Sequence, residues 1–224
     1  MPLMSRFRNA LALAAGALAL VPAAASAQVI EIGSTSDRPP ASCPSNPCQA
    51  VTRTSGFQVT VAGRANSGLF VAPRKGRVVG FTIRLGRPTA AQIAFFTGNF
   101  GGAPQARLSI LKPPKRRYAY QLTGQSELFA LTPYLGREVQ FPLLRSLFVN
   151  KGYIVALTTP TWAPALALGL DRGNAWRASR AREDCNANPP PQAAQQRLRS
   201  RRDYRCLYRG ARLTYSATMI TTPS

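Results

Sequence analysis

The sequence predicts an all-β chain folded as an antiparallel sandwich or barrel, on three observations. Apolar and polar residues alternate at period two in several short runs. Turn-forming residues separate those runs at short, regular intervals. No stretch beyond residue 28 carries apolar residues at helical spacing over a helix's usual length.

The chain opens with Arg6 and Arg8, an apolar run from Ala10 to Val21, and the small-x-small triplet Ala25-Ser26-Ala27. That order is the pattern of a secretory signal peptide, cleaved here after Ala27. The run of 12 residues is too short to span a hydrocarbon core, which takes about 20 residues of helix. Residue 28 is Gln28, so no lipid-accepting cysteine follows the cleavage point. The expected organisation is residues 1–27 as signal peptide, 28–56 as an irregular Pro-, Ser- and Cys-rich arm, and 57–224 as one sandwich domain.

Within that domain Phe57, Val59 and Val61 alternate with Gln58 and Thr60, as a strand with one buried face requires. A turn is expected over Gly63 to Gly68. The clearest strand follows Pro73-Arg74-Lys75-Gly76 and places Val79, Phe81, Ile83 and Leu85 on one face. Further strands are expected at Gln92 to Thr97, Arg107 to Leu111, Tyr118 to Leu122, Glu127 to Leu131, Val139 to Val149, Tyr153 to Thr158, Leu166 to Leu170 and Ala211 to Met219. Gly98 to Gly102, Lys112 to Lys115, Asn150 to Gly152 and Asp171 to Asn174 supply the turns. Pro142 and Pro160 restrict their positions to strand ends, edges or bulges, because proline has no N–H to give a ladder. Residues 172–206 break the rhythm with a long, Arg-rich loop interrupted by Pro189-Pro190-Pro191.

Four cysteines, an even count, suit disulfides in an oxidising compartment. Of the three possible pairings the favoured one is Cys43–Cys48, closing a short Pro-bearing loop, with Cys185–Cys206 tethering the long loop. A zinc site is disfavoured by the spacing and by the absence of any histidine.

Three runs bring a resemblance: Gly76-Arg77-Val78-Val79-Gly80-Phe81-Thr82-Ile83, Ala106-Arg107-Leu108-Ser109-Ile110-Leu111, and the stretch from Phe141 through Lys151-Gly152 to Leu157. Their order resembles a group of secreted actinobacterial jelly-roll sandwiches over roughly residues 57 to 219. The resemblance implies a jelly-roll-like fold; it brings no activity and lends no catalytic residue.

Without histidine the ordinary Ser-His-Asp and Cys-His machinery is missing. A glycosidase-like carboxylate pair would have to come from Glu31, Asp37, Glu127, Glu138, Asp171, Glu183, Asp184 and Asp203. Glu183 and Asp184 read as ion-pair partners of Arg180 or Arg182, and Asp171 as a turn-stabilising side chain rather than a calcium ligand. No catalytic residue, metal or cofactor is therefore assigned.

Binding is the more promising class. The formal charge is +21, and removing Arg6 and Arg8 leaves +19, a field that attracts polyanions; an Arg-heavy composition of this kind also arises from GC-rich coding. The run from Arg197 through Arg199, Arg201 and Arg202 to Arg205 is the densest cationic segment, with Lys112, Lys115, Arg116, Arg117 and Tyr118 as a smaller companion. Planar guanidinium forks suit phosphate, carboxylate or sulfate. Trp162 and Trp176 either stack on sugar rings or plug an end of the sandwich. The leading expectation is a secreted, non-catalytic module binding an anionic or carbohydrate polymer of the cell envelope. The alternative is a surface protein docking an acidic protein partner through its basic loop. Nucleic acid is disfavoured, because export and the absence of standard motifs both argue against it. Mass spectrometry of the exported protein should find Gln28 as its first residue; retention of Met1 would contradict the cleavage reading.

Overall fold

The computed structural model of this protein describes residues 26–62, 68–115 and 118–222. The signal segment up to residue 25, nearly all of the Gly63 to Gly68 turn, and Arg116 and Arg117 lie outside the described residues.

The described chain is an antiparallel β-sandwich with one short helix. In chain order the strands are β1 (Val29–Ile32), β2 (Val51–Thr60) and β3 (Gly76–Arg84), the helix α1 (Ala90–Asn99), then β4 (Gln105–Lys112), β5 (Ala119–Gln125) and β6 (Phe129–Ala130). After a 3₁₀ turn at Thr132–Tyr134 come β7 (Glu138–Val149), β8 (Ile154–Ala163), β9 (Leu166–Ala167) and β10 (Ala175–Ala178). The last elements are β11 (Arg201–Asp203), β12 (Cys206–Arg209), β13 (Arg212–Leu213) and β14 (Tyr215–Thr221). The smaller sheet runs β1-β14-β3-β7, and the larger runs β11-β5-β4-β8-β2-β10-β12 with β6 beside β4. A two-stranded ribbon pairs β13 with β9.

The facing surfaces form one apolar core. Phe81, Ile83, Ala217 and Met219 from the smaller sheet share it with Leu108, Ile110, Val155 and Leu157 from the larger, all fully buried. Tyr215 crosses the gap and donates its hydroxyl proton to the Val155 carbonyl at 2.9 Å. Burial of that phenol raises its pKa well above the ordinary value, so it stays a neutral donor.

β3 departs from simple alternation. Its register slips against both β7 and β14 around Val79, so Val78 faces the core and Val79 is only half-buried. The expectation that Val79 shares a face with Phe81 and Ile83 is corrected by this bulge, which inserts one residue and flips the preceding side chains. Pro142 and Pro160 both lie at register shifts, where a missing N–H costs no ladder bond.

Gln92 to Thr97, expected as a strand, belongs to helix α1. Thr89 caps it, accepting from the Gln92 amide while the Gln92 side chain accepts from the Thr89 amide. That reciprocal arrangement satisfies two N-terminal donors and is spelled in the sequence as Thr-x-x-Gln. The helix is short and packs chiefly through Phe96, whose ring stacks on Trp162 at 4.9 Å.

Two parts expected to be irregular contain strands. β1 and the start of β2 lie within residues 28–56, and β10 and β11 lie within residues 172–206. Both disulfides of the favoured pairing are present, Cys43–Cys48 and Cys185–Cys206, and no described cysteine is free. They join residues 5 and 21 apart. Chain-entropy loss then predicts that replacing Cys185 and Cys206 together with Ser costs about 3 kcal/mol, against about 2 for the Cys43/Cys48 pair. Thermal melts under non-reducing conditions check this order, and an equal or reversed ranking contradicts it.

Candidate functional site

β8 lies between β4 and β2, and every residue from Ile154 to Ala163 is buried. The smaller sheet covers one of its faces. The other carries hydroxyls: Ser109, Thr158 and Ser55 form a row across β4, β8 and β2 with successive oxygen separations of 2.7 Å. The segment 191–197 crosses this row as a strap. The Gln195 amide donates to Ser55 Oγ at 3.0 Å, the Gln195 Oε1 accepts from Tyr204 at 3.0 Å, and its Nε2 donates to the Ser200 carbonyl at 2.8 Å. Ser179 Oγ donates to the Ala193 carbonyl at 2.6 Å. Ala193, Ala194 and Gln195 are buried in consequence. Tyr204 is fully buried against Phe57 and Tyr120, and burial raises the pKa of its hydroxyl, keeping the proton that Gln195 accepts.

The strap delivers the arginine run to the sheet edge. Arg197, Arg199, Arg201, Arg202 and Arg205 are all exposed. Arg199 takes a positive φ of 65° at the turn, and β11 then pairs with β5 as the last strand of the larger sheet. Arg205 forms an ion pair with Asp203 at 2.7 Å, which raises its pKa further. Arg197, Arg199, Arg201 and Arg202 form no ion pair among the described residues; Arg202 donates to the Gln192 carbonyl at 3.2 Å.

Two more cations adjoin this edge. Arg177 on β10 lies 4.2 Å over the Tyr118 ring, with Arg205 at 5.9 Å from the same ring, so one phenol ring contacts two guanidiniums. Arg107 on β4 donates to Gln196 Oε1 at 3.1 Å, its Nε has no partner among the described residues, and burial lowers its pKa. Neither role has a local sequence signal, since both arise from strands brought together by the sheet. Of the smaller basic cluster, Lys112 and Lys115 are exposed.

The two tryptophans are interior side chains. Trp162 is 0% exposed and donates Nε1–H to the Gly102 carbonyl at 3.0 Å. Trp176 is 4% exposed, packed on Tyr208 at 4.8 Å and against Gly56, where an added Cβ would lie 2.8 Å from the indole. Neither ring offers a face for sugar stacking: Trp162 packs against helix α1 and Trp176 within the main core.

The acids are placed differently from the expectation at one point. Glu183 and Asp184 form no ion pair with Arg180 or Arg182; Arg180 is buried and donates instead to Tyr208 Oη and the Thr52 carbonyl, both at 2.7 Å. Asp171 accepts from the Gly173 amide at 2.7 Å, an Asx turn as expected. Glu138 is shared by Arg38 and Arg84. Among the described residues no group of three or more potential metal ligands gathers.

Asp37 pairs with Arg212 at 2.5 Å. The Arg212 hydrogen bond is the main cause that holds the Asp37 pKa below its ordinary 3.8, the opposite of what a general acid requires. A depressed folded-state pKa adds stability above pH 3.8 that is lost as pH falls through the lower folded-state value. With the Asp37 side chain 62% exposed, solvent limits the effect to under about 1 kcal/mol. Asp37→Asn should therefore reduce stability at pH 6 more than at pH 2.5, as urea denaturation at the two values will measure.

No protein-family model, curated protein or solved structure matches this chain. The two disulfides fit an oxidising compartment, and no helix among the described residues is long and apolar enough to cross a membrane.

Proposed function

We propose that this chain is a secreted, non-catalytic β-sandwich that binds an anionic polymer of the cell envelope along the β11 edge. The observation that carries the reading is the exposure of Arg197, Arg199, Arg201 and Arg202 on one edge with no acid pairing them among the described residues. Guanidiniums left in water keep their forks available for phosphate, carboxylate or sulfate. Arg107 and the Arg177–Tyr118–Arg205 stack extend the same cationic surface. Burial of Trp162 and Trp176 removes the main support for neutral sugar stacking, which narrows the carbohydrate option to charged polysaccharide. Signal-peptide cleavage after Ala27 and kinship with secreted actinobacterial jelly-roll proteins belong to this reading as proposals.

One observation favours the alternative partner, an acidic protein. Leu198 stands 55% exposed inside the arginine run, and an apolar anchor ringed by charge is more useful against a protein than against a polyelectrolyte.

Binding to polyphosphate and to a polyuronate, with a neutral glucan as control, tests the reading across a salt series. Replacing Arg197, Arg199, Arg201 and Arg202 with Ala should weaken binding to both polyanions and lower the slope of log affinity against log salt by roughly three. An unchanged slope overturns the proposal. Absence of polyanion binding by the unaltered protein overturns it too and favours the acidic partner.

A further inference from the structure

A second cationic feature lies away from the β11 edge and shares none of its residues. The segment after β1, the ends of β3 and β7, and the β13–β14 connection enclose a small cleft with about 70 Å³ of room. Arg212 lines it, its side chain only 7% exposed. The guanidinium donates through Nη1 to Asp37 Oδ2 and through Nη2 to Thr35 Oγ1.

The two partners of this ion pair are unequally buried. A guanidinium withdrawn from water needs an anion close by, because an uncompensated buried charge is costly. The carboxylate that supplies it is 62% exposed and has strong hydration available if it turns outward. Asp37 can therefore leave only in exchange for another anion, which keeps the buried guanidinium compensated. The backbone beneath Asp37 is held separately: Thr35 Oγ1 donates to the Asp37 carbonyl at 2.8 Å, and Arg84 Nη1 donates to the Arg38 carbonyl at 2.7 Å. Arg84 is in turn fixed by Glu138 through Nε and Nη2. The Asp37 side chain can thus rotate away while the cleft walls stay in place. What remains is a buried guanidinium whose Nη2 stays with Thr35 Oγ1 and whose Nη1 opens to a cleft with about 70 Å³ of room.

We infer that this cleft is a receptor for the carboxylate of a small organic acid, with Asp37 as the internal stand-in that the ligand displaces from Arg212. Carboxylate is the class because the group now on Arg212 Nη1 is one, and because a guanidinium and the neighbouring Thr35 hydroxyl can bond both oxygens of a planar carboxylate. The small volume admits the acid group and its nearest atoms, with the remainder of the molecule directed to solvent.

The test uses the mature protein with N-acetylglycine and glucuronate as probes and N-acetylglycinamide as the neutral control, followed by amide shifts of Thr35, Thr214 and Ser216. The acids should bind and the amide should not. Asp37→Ala should bind the better acid about fivefold or more tighter, since it removes the internal competitor while leaving Arg212. Which acid binds better tells a peptide-like from a sugar-like scaffold, and either preference supports the site when it strengthens in Asp37→Ala. Arg212→Lys, which keeps the charge and loses the fork, should weaken binding at least tenfold. Equal affinity of Asp37→Ala and the unaltered protein overturns the inference, as does equal binding of the amide. This readout is independent of the polymer assay, so either proposal can fail without the other.

Discussion

A strand buried on both sides sets the terms for this structure. β8 runs through the middle of the larger sheet with no exposed residue, and a sheet has two faces to cover. The smaller sheet covers one face with ordinary apolar packing. No further large sheet among the described residues covers the other, and a strap of irregular backbone takes that place, bonded through the Gln195 amide to Ser55 in the Ser109–Thr158–Ser55 row. Small alanines at 193 and 194 let the backbone approach, and Gln195 bonds the groups that its presence buries. The Cys185–Cys206 bridge and β12 anchor the same region to the sheet.

The charge distribution follows from that solution. Acids number only 8 in the whole sequence, and those near the arginines are few. Where a guanidinium is buried it is met by Asp37, as at Arg212, or by neutral oxygens, as at Arg180. Five exposed arginines, Arg197, Arg199, Arg201, Arg202 and Arg205, collect where the strap leads into the outermost strand, while others such as Arg74, Arg77 and Arg145 are spread over the rest of the surface, each with solvent to compensate its charge. The interior is thus nearly free of charge, and the basic character is concentrated at the surface.

Much of the sandwich was legible because period-two patterning reports directly on a sheet with one face buried. Both disulfides were legible from spacing and count. The failures have physical reasons. α1 resembles a strand in the sequence because its ten residues bury only Phe96, leaving almost no helical periodicity; the Thr89–Gln92 cap is the available signal. Alternation places Val79 inward because a bulge is invisible to it. The short strands β1, β10 and β11 have too few residues to establish a period and exist because long-range partners pair with them. At the binding edge the arginine run was legible as composition, whereas the contributions of Arg107 and Arg177, and the Asp37–Arg212 cleft, depend on contacts between residues far apart in the chain.

The irregularity in β7 has a colloidal consequence. This strand is the outer rim of the smaller sheet, where an unbroken row of backbone donors and acceptors would recruit a strand from another molecule. Pro142 offers no N–H, the register breaks between Pro142 and Leu147, and the Leu144 N–H is already given to Glu127 at 2.7 Å. Around Leu144 an approaching chain meets bonding groups that are missing, displaced or spent, with the charge of Arg145 beside them. Although Leu144 is 87% exposed, the backbone under it offers no continuous ladder to a second chain, so an apolar side chain is tolerated on a rim where a regular strand would invite aggregation.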